Sequence, residues 1–316
     1  MSRLTVLSQL NETFNASLAH YAVDVDIIAV PPGPPQSLPR AAEVFVAAPF
    51  RKAGGALTAL PPPGWPYDLR WVQLVSVGID FYPHWLFQGP VVTSARGSSA
   101  VALAEFALAS ILAAAKRFPD IWISGAEQWT PTPLSLISGT TLGLVGFGAI
   151  GEALAPRAQA LGLNVLAVRR SDAAIPVPGV ARVASVEELF ARCDHVVLAA
   201  PATAETEHMI NRPVLSHAKR GLHLINVARG ALIDDDALLQ ALDEGQVSWA
   251  SLDVTHPEPL PAGHRYYSHP RVRLSPHTSV HTPDTRNNLA VRFAENLARF
   301  RQGAPLANVI DLARGY

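Results

Sequence analysis

The sequence predicts an α/β protein with parallel sheets, and three observations carry that expectation. Short apolar runs alternate with helix-like stretches, a glycine-rich turn directly follows one of those runs, and 316 residues suit two domains better than one small core.

Residues 4–7 and 25–30 are apolar runs closed by polar or proline-rich sequence, as expected of buried strands. The PPGPP at 31–35 reads as a loop, and runs at 44–47 and 72–77 continue the series across the stiff PPPGWP at 61–66. From 98 to 116 the chain is mostly Ala, Leu, Ile and Val with no internal Gly or Pro, which predicts a helix apolar on nearly all sides that could link two domains. Its apolar stretch contains Glu105 and falls short of the roughly 20 residues needed to span a bilayer, so a buried helix is expected. Strand and helix patterns then alternate at 142–145, 150–161, 165–168, 186–191 and 195–199, which implies a parallel sheet covered by helices. Runs at 222–227, 237–242 and 249–254 extend it, with a last strand at 272–274 and a final helix near 286–301 returning to the first domain.

Composition excludes several classes. With 25 Lys plus Arg against 26 Asp plus Glu there is no net field to collect nucleic acid or an anionic membrane. The single cysteine, Cys193, rules out an intrachain disulfide and any multi-cysteine metal site, and suits a reducing compartment. The N-terminal sequence lacks the apolar block of a signal peptide, so a cytoplasmic protein with no metal is expected.

Gly146, Gly148 and Gly151 form G-F-G-A-I-G between the strand-like TLGLV and the start of a helix pattern. In that position the glycines permit a tight turn and close approach of a pyrophosphate, while the amides of Ala149, Ile150 and Gly151 at a helix N-terminus suit its charge. A dinucleotide is the natural ligand. The next run, NVLAV, ends in Arg169, Arg170 and Ser171, where an NAD-binding fold presents a carboxylate to the ribose hydroxyls. Two guanidinium groups and a hydroxyl suit the 2'-phosphate of NADP, so NADP(H) is expected to be preferred and NAD(H) to be accepted less well. The plain alternative is a solvated basic loop, and the nearby Asp172 complicates the charge argument.

Three further segments follow apolar runs: NVARGALIDDDAL from 226, SLDVTHPEPLP from 251 and LSPHTS from 274. With TLGLVGFGAIG, PATAETEHMI and the C-terminal ENLARFRQGAPLANVID, they occur in an order and spacing that resembles the D-isomer-specific 2-hydroxyacid dehydrogenase family, particularly its glyoxylate/hydroxypyruvate reductases. The resemblance implies two Rossmann- or flavodoxin-like lobes with the nucleotide-binding lobe (98–286) inserted into the substrate-binding lobe (1–97 plus 287–316), a homodimer, and a small 2-oxo or 2-hydroxy acid substrate.

It also implies roles. Arg229 matches the arginine that engages the substrate carboxylate and carbonyl oxygen, a task for a fixed charge with a donor fork. His277 matches the acid that protonates the developing alkoxide, and Glu258 the carboxylate that holds its ring. Pro201, Val227, Ala228, Arg229 and Asp253 match positions along the cofactor path, though Asp253 could instead cap a turn. Ser76, Val77 and Gly78, followed by Ile79 and Asp80, resemble the loop whose amides hold the substrate carboxylate; an ordinary strand-ending turn is the alternative.

The sequence departs from the family pattern at several points. Phe81, Tyr82 and Trp85 either reshape the substrate pocket or pack as core. Thr255, His256, Thr278 and Ser279 stand where aromatic, acidic or small apolar residues are common, which bears on specificity rather than on reaction class. Trp129 lies in a segment that crosses to the partner subunit in some relatives, or simply packs at an interface. The leading expectation is NADPH-dependent reduction of a glyoxylate- or hydroxypyruvate-like acid; the alternatives are NAD-dependent oxidation of a 2-hydroxy acid such as phosphoglycerate, and a non-enzymatic dinucleotide sensor.

Overall fold

The apolar runs form strands that all pair in parallel. The computed structural model describes residues 3–35, 38, 42–50, 57, 60–118 and 120–315. The chain divides into one unit of Met1–Ser99 with His281–Tyr316 and a second of Ala100–Val280.

The first unit carries β1 (Leu4–Ser8), β2 (Val25–Ala29), β3 (Val44–Ala47), β4 (Trp71–Leu74) and β5 (Val91–Thr93), in the flavodoxin-like order β2-β1-β3-β4-β5. Helix α1 (Glu12–Tyr21), which lacks a strong apolar pattern, starts where the Asn11 carboxamide oxygen accepts the Phe14 amide at 3.0 Å. The C-terminal helix, Pro283–Arg301, begins earlier than its apolar periodicity suggests because Thr282 caps it and Pro283 fits its first turn. Together these helices cover one sheet face, where Phe293 stacks on Trp71 with ring centroids 5.0 Å apart. On the other face Tyr82 and Trp85 are core: both are buried with Phe45 and Leu86, and Trp85 meets Trp65 edge-on at 4.8 Å. Strand β4 stops at Leu74 instead of continuing to 77, because the Ser76 hydroxyl donates to the Gly78 carbonyl at 2.7 Å and turns the chain.

The second unit holds β6 (Thr141–Val145), β7 (Asn164–Val168), β8 (Val180–Arg182), β9 (His195–Leu198), β10 (Leu222–Asn226), β11 (Val247–Leu252) and β12 (Val272–Leu274). Their order, β12-β11-β10-β9-β6-β7-β8, is that of a doubly wound sheet with one added edge strand. Helices α2 (Ala100–Ala115) and α3 (Ala149–Ala160) belong to the core on one face. The opposite core is built with α4 (Val186–Arg192), α5 (Arg212–Ser216) and α6 (Asp235–Asp243). Successive strand residues serve alternate cores, as Val196 and Leu198 do on one side and Val197 on the other. Residues 186–191 are helical because Ser185 caps the Glu188 amide and two glutamates occupy the first turn. No helix among the described residues is long and apolar enough to cross a membrane. Cys193 is buried against this sheet, which pushes its thiol up to about 12.

His195 and His223 face each other across β9 and β10 with ring centroids 5.7 Å apart. The His223 Nε2 lies 3.0 Å from the Ser251 hydroxyl, and neither Nδ1 has a partner among the described residues. Burial pushes His223 down to about 3 and lowers His195 as well. Both rings are therefore neutral in the folded chain at neutral pH, whereas the unfolded imidazoles take up protons as pH falls below about 6.5. This stability is complete above the unfolded value and drains away as pH drops toward the folded one. Between pH 7 and pH 5, urea unfolding should show His223 alone removing about 2 kcal/mol, and a His223→Gln chain should lose most of that pH dependence.

Candidate active site

With all strands of the second unit parallel, their outgoing loops leave one edge, and the order reverses at β6, between β7 and β9. Backbone bonds stitch neighbouring strand ends. The Gly146 amide donates to the Val168 carbonyl at 2.9 Å, Ala199 to Val145 at 2.9 Å, Asp253 to Asn226 at 3.0 Å and Ser275 to Leu252 at 3.0 Å. Six loops thereby bring together Gly146–Gly151, Arg169–Ser171, Pro201, Val227–Arg229, Asp253–Glu258 and His277 along that edge. Ser76, Val77 and Gly78 lie in the other unit, in the turn after β4.

The glycine turn is shaped to receive a phosphate group. Gly146 has φ +91°, and a Cβ there would sit 2.9 Å from the Ala199 carbonyl oxygen and the Ala200 amide. Gly148 precedes α3 without a side-chain cap, so the first-turn amides of Ala149, Ile150 and Gly151 have no capping oxygen from it. A Cβ on Gly151 would press to 3.0 Å from the Phe147 ring, so glycine keeps this turn tight. These features fit the pyrophosphate of a dinucleotide.

Beyond β7 the charges sort into pairs. Asp172 bonds to Arg182 at 2.8 Å, so its carboxylate is directed to that residue, and Arg170 meets Glu205 at 3.3 Å on the exposed surface. Arg169 donates to the Ala174 carbonyl at 3.5 Å, and Ser171 is exposed. No carboxylate stands directly after the strand, where Arg169, Arg170 and Ser171 follow Val168.

His277 Nδ1 lies 3.0 Å from Glu258 Oε2, and Glu258 Oε1 accepts the Thr255 amide at 3.2 Å. Both side chains are about one-quarter exposed, so the pair is reachable yet shielded. An ionised carboxylate only accepts, which sets the proton on Nδ1 and leaves Nε2 as the nitrogen that exchanges one. Arg229 is half-buried, and its Nη1 donates to the Ala228 carbonyl at 2.7 Å. Val227 and Ala228 before it are buried, while Pro201 is exposed and its carbonyl accepts the Thr206 hydroxyl at 2.8 Å.

The sequence reading missed Asn226 and Gly230 as supports for these side chains, and it placed Asp253 on the cofactor path or as the cap of a turn. Asn226, fully buried at the end of β10, donates to the Arg229 carbonyl at 2.9 Å and accepts the Ala228 amide at 3.0 Å. Gly230 lets that loop touch the Glu258 loop, since a Cβ on it would lie 2.0 Å from the Thr255 carbonyl carbon. The available signal was a polar residue closing an otherwise apolar strand, LHLIN, just before A-R-G. Asp253, only 1% exposed, accepts from the Ser275 hydroxyl at 2.6 Å, the Thr278 amide at 3.0 Å, the Ser279 amide at 3.1 Å and the Ser279 hydroxyl.

Residues 108–279 match the family model described as D-isomer specific 2-hydroxyacid dehydrogenase, NAD binding domain. The chain belongs to the D-isomer-specific 2-hydroxyacid dehydrogenase family. As a member it is an NAD(P)-dependent dehydrogenase/reductase. The dehydrogenase is 33% identical over 261 residues to glyoxylate/hydroxypyruvate reductase A of Serratia proteamaculans, covering 78% of this chain and 82% of that one. It is also 33% identical over 230 residues to D-3-phosphoglycerate dehydrogenase of Bacillus subtilis, spanning 71% of this chain but only 43% of that longer enzyme. Among solved structures, a D-isomer specific 2-hydroxyacid dehydrogenase from Xanthobacter autotrophicus, in complex with NADPH and MES, matches the whole of both chains with a TM-score of 0.82 at 25% identity.

The contact at Gly230 makes a sharp test of how this dehydrogenase holds Arg229. Gly230→Ala must push the loop off Thr255, so it should lose about 1–3 kcal/mol in urea unfolding. Turnover should fall at least tenfold even at temperatures where circular dichroism shows the variant folded, because a small displacement of a positioning group is costly to rate.

Proposed function

We propose that this dehydrogenase reduces a small 2-oxo acid of the glyoxylate or hydroxypyruvate kind to the D-2-hydroxy acid, with NADPH as preferred donor and NADH as the poorer one. The observation that carries the reading is the His277–Glu258 pair at 3.0 Å, on the same sheet edge as Arg229 and the glycine turn. Similarity to glyoxylate/hydroxypyruvate reductase A supports the substrate class.

A bound nicotinamide supplies the hydride that goes to C2. On this reading the Arg229 guanidinium binds the carboxylate and polarises the carbonyl oxygen, and His277 Nε2 delivers the proton to that oxygen as it becomes an alkoxide. Glu258 holds the imidazole ring, itself fixed by the Thr255 amide. The turn from Gly146 to Gly151 holds the pyrophosphate, Arg169, Arg170 and Ser171 hold the 2'-phosphate, and Pro201, Val227 and Ala228 flank the path between. The buried thiol of Cys193 takes no part, and a chain with a single cysteine suits the cytoplasm.

We further read the protein as a homodimer. Trp122, Trp129, Leu134 and Leu136, at 68%, 79%, 48% and 77% exposure, are too many large apolar groups along one short segment to face water singly. Covering them with a second copy would give Trp129 its partner-facing role.

Loss of NADPH absorbance with glyoxylate, hydroxypyruvate and pyruvate, with NADH in parallel, tests the reaction. The competing pair, 3-phosphoglycerate with NAD+, is suggested by the Bacillus subtilis relative and belongs in the same assay. His277→Ala should lower kcat by about 10²- to 10⁴-fold while NADPH still binds. Arg169→Ala with Arg170→Ala should reduce the preference for NADPH over NADH by roughly tenfold to a hundredfold, the worth of one charge-assisted contact. Faster oxidation of 3-phosphoglycerate than reduction of any 2-oxo acid would defeat the proposed direction and substrate.

A further inference from the structure

We propose that the second unit carries a separate phosphate site at the amino ends of its strands, where Arg220 and Arg271 hold the phosphate of a small phosphomonoester and the cleft beside Arg271 takes the organic part.

The two arginines reach this place from neighbouring loops. Arg220 stands two residues before β10 and Arg271 directly before β12, while Gly245, two residues before β11, lies between them in strand order. All three therefore sit at the edge of the sheet opposite the glycine turn. Gly245 has φ +75°, and the point where a Cβ would stand is 3.5 Å from Arg220 Nη2 and 3.7 Å from Arg271 Nη1. A tetrahedral anion that accepts from two guanidinium groups through bonds of about 2.8 Å has its central atom at much that distance from each nitrogen. Glycine thus leaves open a point from which both charges can be neutralised together.

The surroundings leave these two charges uncompensated. Among the described residues neither guanidinium is ion-paired to a carboxylate, and the carboxylates nearby are committed elsewhere. Asp243 accepts Arg265 at 2.8 Å and faces His269 Nε2 at 3.2 Å, while Glu244 accepts the Gln240 carboxamide at 2.7 Å, back along α6. Arg271 is also set in position: its Nη1 donates to the Leu242 carbonyl at 2.7 Å, and its amide donates to His269 Nδ1 at 3.2 Å. The end of α6 presents carbonyls, which alone would repel an anion, but that of Leu242 is taken by Arg271 and by the Gly245 amide at 3.1 Å. A cleft of about 400 Å³ opens beside Arg271, walled by Arg265, Ser268, His269 and Pro270, which is room for a small organic group on the phosphate.

The test is calorimetric titration of the full-length enzyme, first saturated with NADPH so that the cofactor's own phosphate contacts are occupied, at constant ionic strength. The probes are inorganic phosphate and glycerol 1-phosphate. Phosphate should bind in the millimolar range and glycerol 1-phosphate at least about threefold more tightly. Arg220→Gln with Arg271→Gln should weaken both at least about tenfold, while the NADPH Kd stays within about twofold. Absence of binding to the parent enzyme overturns the site, as does an unchanged phosphate Kd in the double variant. Equal affinity for the two probes overturns the part assigned to the cleft. Should the double variant not fold, Arg220→Gln alone, which leaves the Arg271 bond to Leu242 intact, carries the same titration. None of these readouts needs turnover, so the site stands or falls separately from the proposed reaction.

Discussion

Every strand in the second unit runs the same way, and the placement of its chemistry depends on that constraint. A parallel ladder sends each outgoing loop to the carboxyl edge, so residues far apart in sequence, from Gly146 to His277, arrive on one rim without any loop crossing the sheet. Reversal of the order at β6 opens the crevice beside the glycine turn. The apolar alternation that buries Val196, Val197 and Leu198 on opposite faces therefore also decides where the polar groups end up.

Direction alone would leave those loops loose. The second level of order comes from buried polar groups at strand ends, Asn226 beside Arg229 and Asp253 beside His277. Burying such groups is unfavourable unless their hydrogen-bonding capacity is filled, and here it is filled by the loops they support. Each therefore specifies a loop conformation: an altered loop would leave a carboxamide or carboxylate buried and unsatisfied. His195 and His223, near the amino ends of β9 and β10, show the contrasting case, in which each ring is accommodated by staying neutral.

The glycine turn and the segments carrying Arg229, Glu258 and His277 were legible because they combine distinctive residues with a preceding apolar run. The strands β5 and β8, three residues each, were not, although the equally short β12 was, and α1 is marked by its Asn11 cap more than by an apolar stripe. The stretch at 186–191 took its helical place from the strand and helix alternation, and its cap and first-turn charges support that helix. The role of Tyr82 and Trp85 depended on Phe45, Trp65 and Leu86, neighbours in space that no local pattern reveals. Ser279 looked like a change bearing on specificity, and its bonds to Asp253 are visible only once the two loops lie side by side.

The charge at the end of β7 shows how pairing alters a sequence argument. Read linearly, Asp172 weakens the case for an anion beside Arg169 and Arg170. In the fold Asp172 turns to Arg182 on the edge strand, and the carboxylate near Arg170 is that of Glu205, from the loop after β9. Glu205 is 75% exposed, and an exposed pair of this kind contributes only about 0–1 kcal/mol. A phosphate group offers arginine shorter, bidentate, charge-assisted bonds, which are stronger than that surface pair. Glu205 is therefore a weakly held, replaceable partner of Arg170.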